Sequence, residues 1–62
     1  MCTTGDHVEL VKPVLVYQPG ATGNVTGVRS DGRLLVTVNN DPGGNPTPFP
    51  LPPRDKSHFK KI

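Results

Sequence analysis

The sequence has no tryptophan, a single cysteine and only three aromatic residues, one tyrosine and two phenylalanines. A groove that binds proline-rich peptides and a cage that binds methylated lysine both need several converging aromatic rings. Cys2 alone can form neither an internal disulfide nor a multi-cysteine metal site. The sequence therefore argues against both kinds of recognition, and we expect Cys2 to be an exposed thiol in a reducing compartment.

Long apolar runs are also missing. The longest covers residues 14–17, whereas a membrane-spanning helix needs about 20 apolar residues. The first residues, MCTTGDH, lack the charged and apolar blocks of a secretory signal peptide. We therefore expect a cytoplasmic protein that does not enter a membrane.

The chain has 62 residues, a formal net charge of +2 and a pI near 9.0, which leaves room for one small domain. Seven glycines and eight prolines could indicate disorder, but the apolar residues are concentrated in runs rich in valine and leucine. We expect one folded, monomeric domain over residues 1–62, with residues 1–4 disordered and residues 39–45 forming a mobile loop. The mild positive charge permits an anionic partner without demanding one.

The stretch GDHVELV, residues 5–11, alternates between polar and apolar residues as a half-buried β-strand does. Val8 and Leu10 share one face, and Pro13 ends or restricts the strand soon afterwards. We interpret the following residues as a long structured loop with a short extended piece at 14–17.

The segment GNVTGVRSDGRLLVTVNN predicts a β-hairpin, because Asp31-Gly32 between two β-rich runs is typical of a two-residue loop. Gly27 suits a bend or bulge in the first strand. The predicted pairs are Val28 with Leu35, Gly27 with Val36 and Val25 with Val38. The predicted core face carries Val25, Leu34, Val36 and Val38, and the other face carries Thr26, Val28, Leu35 and Thr37.

In NPTPFPLPP the prolines at positions 46, 48, 50 and 52 remove every backbone donor on one edge of an extended segment. Thr47, Phe49 and Leu51 can still donate on the other edge, and their side chains share one face. We interpret the segment as an edge strand that buries Phe49 and Leu51 and resists further pairing. A free polyproline ligand is the alternative.

The tail PRDKSHFKKI predicts a turn or a single helical turn at residues 54–57, followed by a short strand at 58–62. Phe59 is the natural apolar anchor of that strand. A regular strand would put Lys61 on the same face as Phe59, so we expect Lys61 at the rim with its charge in water.

Five short strands, a long first loop, a tight hairpin and a helical turn before the last strand resemble an SH3-like barrel. KSHFKKI resembles the closing segment of SH3 domains through Ser57, His58 and Phe59. PGATGNVTGVRSDGRLLVTV resembles the KOW and Tudor-like variants of the barrel, and the residues that carry this likeness are Gly23, Val25, Asp31, Gly32 and Val36.

The whole chain is also similar to a family of small hyperconserved SH3-like proteins of marine picocyanobacteria. The resemblance implies an all-β fold, a single SH3-like five-stranded barrel with a short helical turn before the last strand. It also implies a non-enzymatic protein associated with tRNA and with translation components such as ribosomal proteins or aminoacyl-tRNA synthetases.

Most of the cations fall beside the hairpin loop and in the tail, where they could neutralise RNA phosphates and release counterions. The one tyrosine could add a stacking surface for a base. The alternative is a solvated face that keeps a small domain soluble. The candidate RNA-binding residues are Arg29, Arg33, Arg54, Lys56, His58, Lys60, Lys61 and Tyr17.

His7 and His58 could form an acid–base pair or a two-histidine metal site if the first and last strands lie side by side. The sequence offers no activated nucleophile and no phosphate-cradling glycine motif, so we expect no enzyme activity, no metal and no cofactor. The functional prediction is a binding module with weak affinity for tRNA or another RNA. The alternatives are a protein–protein adaptor that uses residues 14–17 and a small structural subunit of a larger complex.

Overall fold

The computed structural model describes residues 3–62, which form one antiparallel sheet and a short 3-10 helix. The strands are β1 His7–Leu10, β2 Thr22–Val28, β3 Leu34–Asn40, β4 Phe49–Pro50 and β5 Phe59–Lys61, and the 3-10 helix, η1, is Lys56–His58. The order across the sheet is β4-β3-β2-β1-β5, which confirms the all-β prediction. Within residues 3–62 no ladder joins β4 to β5, so closure of the sheet into a barrel stays a prediction.

The core lies on one face of the sheet, and every second side chain of a strand points towards it. Val8 and Leu10 of β1 are buried as predicted. The predicted core face of the hairpin is also confirmed, because its three valines and its one leucine are buried. Removal of this apolar surface from water is the main favourable contribution to folding. The loops and the C-terminal part complete the core with Val14, Tyr17, Ala21, Leu51 and Phe59.

The loop of the β2–β3 hairpin is one residue longer than predicted. It comprises residues 30–32 and is closed by a 2.8 Å hydrogen bond from the Arg29 N–H to the Arg33 carbonyl oxygen. Gly32 has a φ of 90°, the left-handed conformation that ends a three-residue hairpin loop. Val28 consequently pairs with Leu34 and Gly27 with Leu35, each one position from the predicted partner, whereas Val25 pairs with Val36, two positions from the predicted Val38.

A bulge between Val25 and Gly27 compensates for the longer loop, since it brings Val25 opposite Val36 on the core face. The bend expected at Gly27 is therefore confirmed. Near the start of β2, a Cβ added to Gly23 would lie 2.1 Å from the Thr37 carbonyl oxygen. Only glycine permits this close approach of the two backbones.

The proline-rich segment contributes the edge strand β4, as predicted. Phe49 pairs with Val38, and the Leu51 N–H donates to the Val36 carbonyl oxygen at 2.8 Å. Leu51 is buried, but Phe49 is 38% exposed. The ring of Phe49 lies against Tyr17, with centroids 5.5 Å apart, at the margin of the core. The prediction that Phe49 is buried was therefore wrong.

Residues 14–17 form a tight turn where the sequence predicted an extended piece. Val14 and Tyr17 exchange two backbone hydrogen bonds of 3.0 and 2.9 Å, and both are buried. Leu15 and Val16 lie at the apex and are exposed. The extended prediction was wrong because four consecutive apolar residues suggested a strand, whereas the chain buries the outer two and reverses direction between them.

The tail has the predicted order of turn and strand. The turn begins later than expected, with η1 at Lys56–His58, and β5 then pairs with β1. Phe59 is buried opposite Leu10, which confirms it as the anchor. Lys61 pairs with Val8 and is exposed, as expected for a residue at the rim.

The loop between β3 and β4 begins at Asp41, because β3 continues through Asn40. The Asp41 carboxylate accepts hydrogen bonds from the N–H groups of Gly43 and Asn45 at 2.9 and 3.0 Å. This pattern is typical of an Asx-type turn. The mobility predicted for residues 39–45 stays a prediction.

The predicted disorder of residues 1–4 falls partly on residues 1 and 2, which lie outside the described residues together with the predicted exposed thiol of Cys2. The Thr3 N–H donates to the Asp6 carboxylate at 2.8 Å, and Gly5 donates to the Val25 carbonyl oxygen. Residues 3–6 therefore form a turn attached to β2. In the part of the chain that the structure describes, no helix has the length and apolarity needed to cross a membrane.

Candidate binding surface

The eight residues predicted to bind RNA lie in three different places. Lys60 and Lys61 are on β5, and Tyr17 is in the core. The other five come together where the hairpin loop meets the segment around η1, and Arg29 joins the rest through its ion pair with Asp31. With two neighbouring carboxylates they form what we call the hairpin-end cluster: Arg29, Asp31, Arg33, Arg54, Asp55, Lys56 and His58.

Asp31 holds the hairpin side of the cluster together. One carboxylate oxygen accepts a 3.1 Å hydrogen bond from the Arg33 N–H, and the other lies 3.5 Å from Arg29 Nε and 4.0 Å from Arg33 Nε. The backbone N–H and, after it, the two guanidinium groups lower the pKa of Asp31 below its ordinary value of 3.8. Both arginine side chains remain about half exposed, so further guanidinium N–H groups can reach a partner.

The C-terminal part reaches the hairpin through a pair of backbone hydrogen bonds. Leu34 and Arg54 each donate to the carbonyl oxygen of the other, at 2.8 and 3.2 Å. This bridge sets Arg54 beside the hairpin, and Arg33, Arg54 and His58 line one shallow depression. Cations that are distant in sequence therefore form a single surface.

The hairpin-end cluster accounts for the whole formal net charge of the protein, which is +2. Its four arginine and lysine side chains exceed its two carboxylates by two, with the histidine counted as neutral. Positive potential at one end of a small domain attracts anionic partners to that end. The remaining charged side chains cancel, since Lys12, Lys60 and Lys61 are matched by Asp6, Glu9 and Asp41.

A cleft of about 510 Å³ opens between the hairpin loop and η1. Val28 and Leu34 provide its apolar surface, and Val28 is 49% exposed. The remaining lining consists of Gly32 and four polar or charged residues, Asp31, Asp55, Lys56 and Ser57. Three residues of the hairpin-end cluster, Asp31, Asp55 and Lys56, thus border an open site with an apolar floor.

Val28 and Asp55 line the cleft but were not predicted as site residues. Val28 was predicted on the outer face, but the longer loop pairs Val28 with Leu34 at the open end of the core face. A three-residue loop ending at Gly32 also fits the sequence, and that interpretation would have brought Val28 to the cleft. Asp55 carries no comparable signal in the sequence.

The lysines of β5 have acidic partners on β1 and in the preceding turn. Lys60 Nζ lies 3.6 Å from the Glu9 carboxylate, and Lys61 Nζ lies 3.8 Å from the Asp6 carboxylate. The Thr3 N–H is the main cause that lowers the pKa of Asp6, and Lys61 contributes to the same direction. The charge of each lysine is therefore balanced locally, unlike the charge of the hairpin-end cluster.

Tyr17 does not present a ring for base stacking, contrary to the prediction. It is 1% exposed, its ring lies against Phe49, and its hydroxyl donates to the Pro46 carbonyl oxygen. Burial raises the pKa of Tyr17 above its ordinary value of 10.0. The residue connects the first loop to the proline-rich segment and belongs to the core.

His7 and His58 are separated although β1 and β5 lie side by side. The antiparallel register puts His7 opposite residue 62, where the Ile62 N–H donates to its carbonyl oxygen. His58 lies at the other end of the pair, opposite Val11. The two histidines therefore do not form the acid–base pair considered above, and no group of three metal-ligating side chains occurs among residues 3–62.

No protein-family model, curated protein or solved structure matches this chain.

Proposed function

We propose that the chain is an SH3-like small barrel and a non-enzymatic binding module that binds RNA through the hairpin-end cluster. The strand order, the long first loop and the 3-10 turn directly before β5 support the SH3-like assignment. The observation that carries the RNA proposal is the concentration of the net charge of +2 in one cluster.

Binding would rest on contacts between the cluster and phosphates. The guanidinium groups of Arg29, Arg33 and Arg54 present donors in a planar fork that matches phosphate oxygens, and Lys56 adds a point charge. Such contacts release counterions from the RNA, so affinity falls as salt rises. They position the RNA backbone and carry no direct information on sequence.

The resemblance to the picocyanobacterial family adds tRNA and cytoplasmic translation components as the expected partners. A tRNA offers a dense phosphate backbone together with unpaired loops and ends. Weak affinity is expected, because only a few cations contribute contacts.

The test is an amide-resolved NMR titration of the labelled protein with tRNA, first at low salt and then at physiological salt. We expect shifts at residues 29–33 and 54–58 that weaken as salt rises. Shifts that gather elsewhere on the protein, or a spectrum that does not respond to tRNA at low salt, would overturn the proposal.

A second candidate function is a protein–protein adaptor, favoured by the turn at residues 14–17. Its apex residues Leu15 and Val16 are 59% and 60% exposed, and Leu15 has a φ of 55°, a conformation that is uncommon outside glycine. Strained backbone tends to occur at functional sites. An adaptor would bind its partner with little dependence on salt, and the double substitution Leu15→Ser and Val16→Ser would abolish that binding while leaving RNA binding unchanged.

A further inference from the structure

We infer that the cleft beside the hairpin-end cluster receives an unpaired RNA base that carries an exocyclic amino group, so that the protein prefers single strands to duplexes. The inference rests on the proposed function, because the cluster must first bring the RNA backbone to the rim of the cleft. Three features support it: the apolar floor of the cleft, the cations beside it, and one carboxylate that has no ion-pair or side-chain hydrogen-bond partner within residues 3–62.

The floor suits the face of a base. The cleft volume of about 510 Å³ falls within the range of roughly 300–1,000 Å³ that is common for small-ligand sites. Val28 is half exposed and continuous with the buried Leu34. An isolated exposed valine needs no explanation, but this one extends the core into an open cleft. A planar apolar group would cover it.

The cations beside the cleft suit a phosphate. Lys56 lines the cleft, and Asp31 on the opposite side is held between Arg29 and Arg33. A cationic peptide would meet the excess positive charge of the cluster. A partner with anionic groups at the rim and a planar apolar group at the centre has the chemistry of a single-stranded nucleic acid. Duplex RNA keeps its bases stacked and its major groove too narrow for side chains to read.

Asp55 adds selectivity between bases. Its carboxylate takes part in no ion pair or side-chain hydrogen bond among residues 3–62, and it makes no cap hydrogen bond to η1. An ionised carboxylate only accepts hydrogen bonds. Cytosine presents an amino donor where uracil presents a carbonyl acceptor. Asp55 should therefore favour cytosine over uracil in the cleft.

The experiment compares oligo(C), oligo(U) and a duplex RNA of equal phosphate content by fluorescence anisotropy at low and physiological salt. We expect oligo(C) to bind several-fold more tightly than oligo(U), and both single strands more tightly than the duplex. Asp55→Asn should remove the difference between oligo(C) and oligo(U), and the fold should persist because the Asp55 side chain caps nothing.

Val28→Ala tests the floor. It should weaken binding of both single strands a few-fold and leave duplex affinity and the salt slope unchanged, since the lost contact is apolar. Val16→Ala is the matched control, because Val16 is also an exposed valine but lies outside the cleft, and it should change none of these affinities.

Two outcomes separate this inference from the function on which it rests. Equal, salt-sensitive binding of all three RNAs, with no effect of Val28→Ala, would overturn the inference and leave the proposed RNA binding intact. Absence of salt-sensitive binding to any RNA would overturn both. Amide shifts at Val28 and Asp55 caused by an arginine-rich peptide, and by none of the RNAs, would assign the cleft to a protein partner instead.

Discussion

The cations of the hairpin-end cluster and the two lysines of β5 were predicted together from the sequence as candidate RNA-binding residues. In the folded protein they differ in their neighbours. Lys60 and Lys61 face Glu9 and Asp6 at 3.6 and 3.8 Å, with one carboxylate for each lysine. In the cluster, Asp31 is shared between two arginines, and further cations stand nearby.

The difference shows that strand register decides which cations are available to a partner. Antiparallel pairing of β1 and β5 puts Lys60 directly opposite Glu9, and opposite charges across a strand pair attract each other. The hairpin loop and the segment before η1 bring cations together with fewer carboxylates. Excess positive charge is therefore left at the hairpin end, where RNA binding is proposed.

The largest expected effect is a loss of stability caused by a core substitution that leaves every charge in place. Phe59→Ala removes the anchor that holds β5 beside β1 and should destabilise the fold by about 3–5 kcal/mol, because a large buried aromatic side chain leaves a cavity. A domain of this size has little stability to lose. Urea unfolding followed by circular dichroism measures the loss.

Phe49→Ala is the comparison for that variant. Phe49 is 38% exposed whereas Phe59 is 7% exposed, so the Phe49 variant should unfold at a clearly higher urea concentration. If both variants lost the same free energy of unfolding, the assignment of Phe49 to the margin of the core would be wrong.

A smaller effect, on RNA affinity, is expected when a carboxylate of the hairpin-end cluster is removed. Asp31→Asn removes the carboxylate shared by Arg29 and Arg33 and should strengthen RNA binding a few-fold, because both guanidinium groups become free for phosphates. The amide oxygen can still accept the hydrogen bond from the Arg33 N–H. RNA affinity measured by anisotropy is the readout.

Asp41→Asn is the matched control for Asp31→Asn. Asp41 also accepts backbone hydrogen bonds in a turn, and those bonds likewise lower its pKa. The substitution changes the net charge equally, but at a residue that lies outside the cluster and does not line its cleft. An equal gain in affinity for both variants would mean that total charge, and not its position, controls binding.

The smallest effect concerns the lysine pairs of β5. Lys61→Gln should raise the pKa of Asp6 only part of the way to 3.8, since the Thr3 N–H is the larger cause of the depression. A carboxyl group whose pKa is lowered by folding stabilises the native state above its unfolded pKa, and this contribution is lost as the pH falls through the folded pKa. The variant should therefore be slightly less stable than wild type near neutral pH, and the difference in its free energy of unfolding should shrink in acid. NMR titration of Asp6 checks this, and an unchanged pKa would show that Lys61 does not interact with it.

Much of the fold could be predicted from residue alternation and turn chemistry. Val8 with Leu10, and the alternating valines of the hairpin, identified the buried faces because side chains on a strand alternate between its two sides. The spacing of the prolines identified the edge strand, because proline lacks a backbone donor. Phe59 was correctly identified as the anchor of the last strand.

The candidate site was less predictable, because it depends on distances between segments. The hairpin register changed with one additional loop residue, and that change moved Val28 to the cleft. Residues 14–17 form a turn in which the side chains of Val14 and Tyr17 are buried. The local sequence does not reveal which two of these four apolar residues are buried. The separation of Lys60 and Lys61 from the other cations required the pairing of β5 with β1, so no local pattern could indicate it.

The most direct test of the account compares two double variants that lose the same charge. Arg54→Gln with Lys56→Gln removes two cations from the hairpin-end cluster, and Lys60→Gln with Lys61→Gln removes two from β5. RNA affinity is measured over a range of salt concentrations for both. We predict that the first variant binds several-fold more weakly and that its log–log salt slope falls by up to about 1.4, since each lost phosphate contact on a single strand contributes about 0.7. The β5 variant should keep the wild-type slope; equal losses in the two variants, or a larger loss in the β5 variant, would contradict the assignment of RNA binding to the hairpin-end cluster.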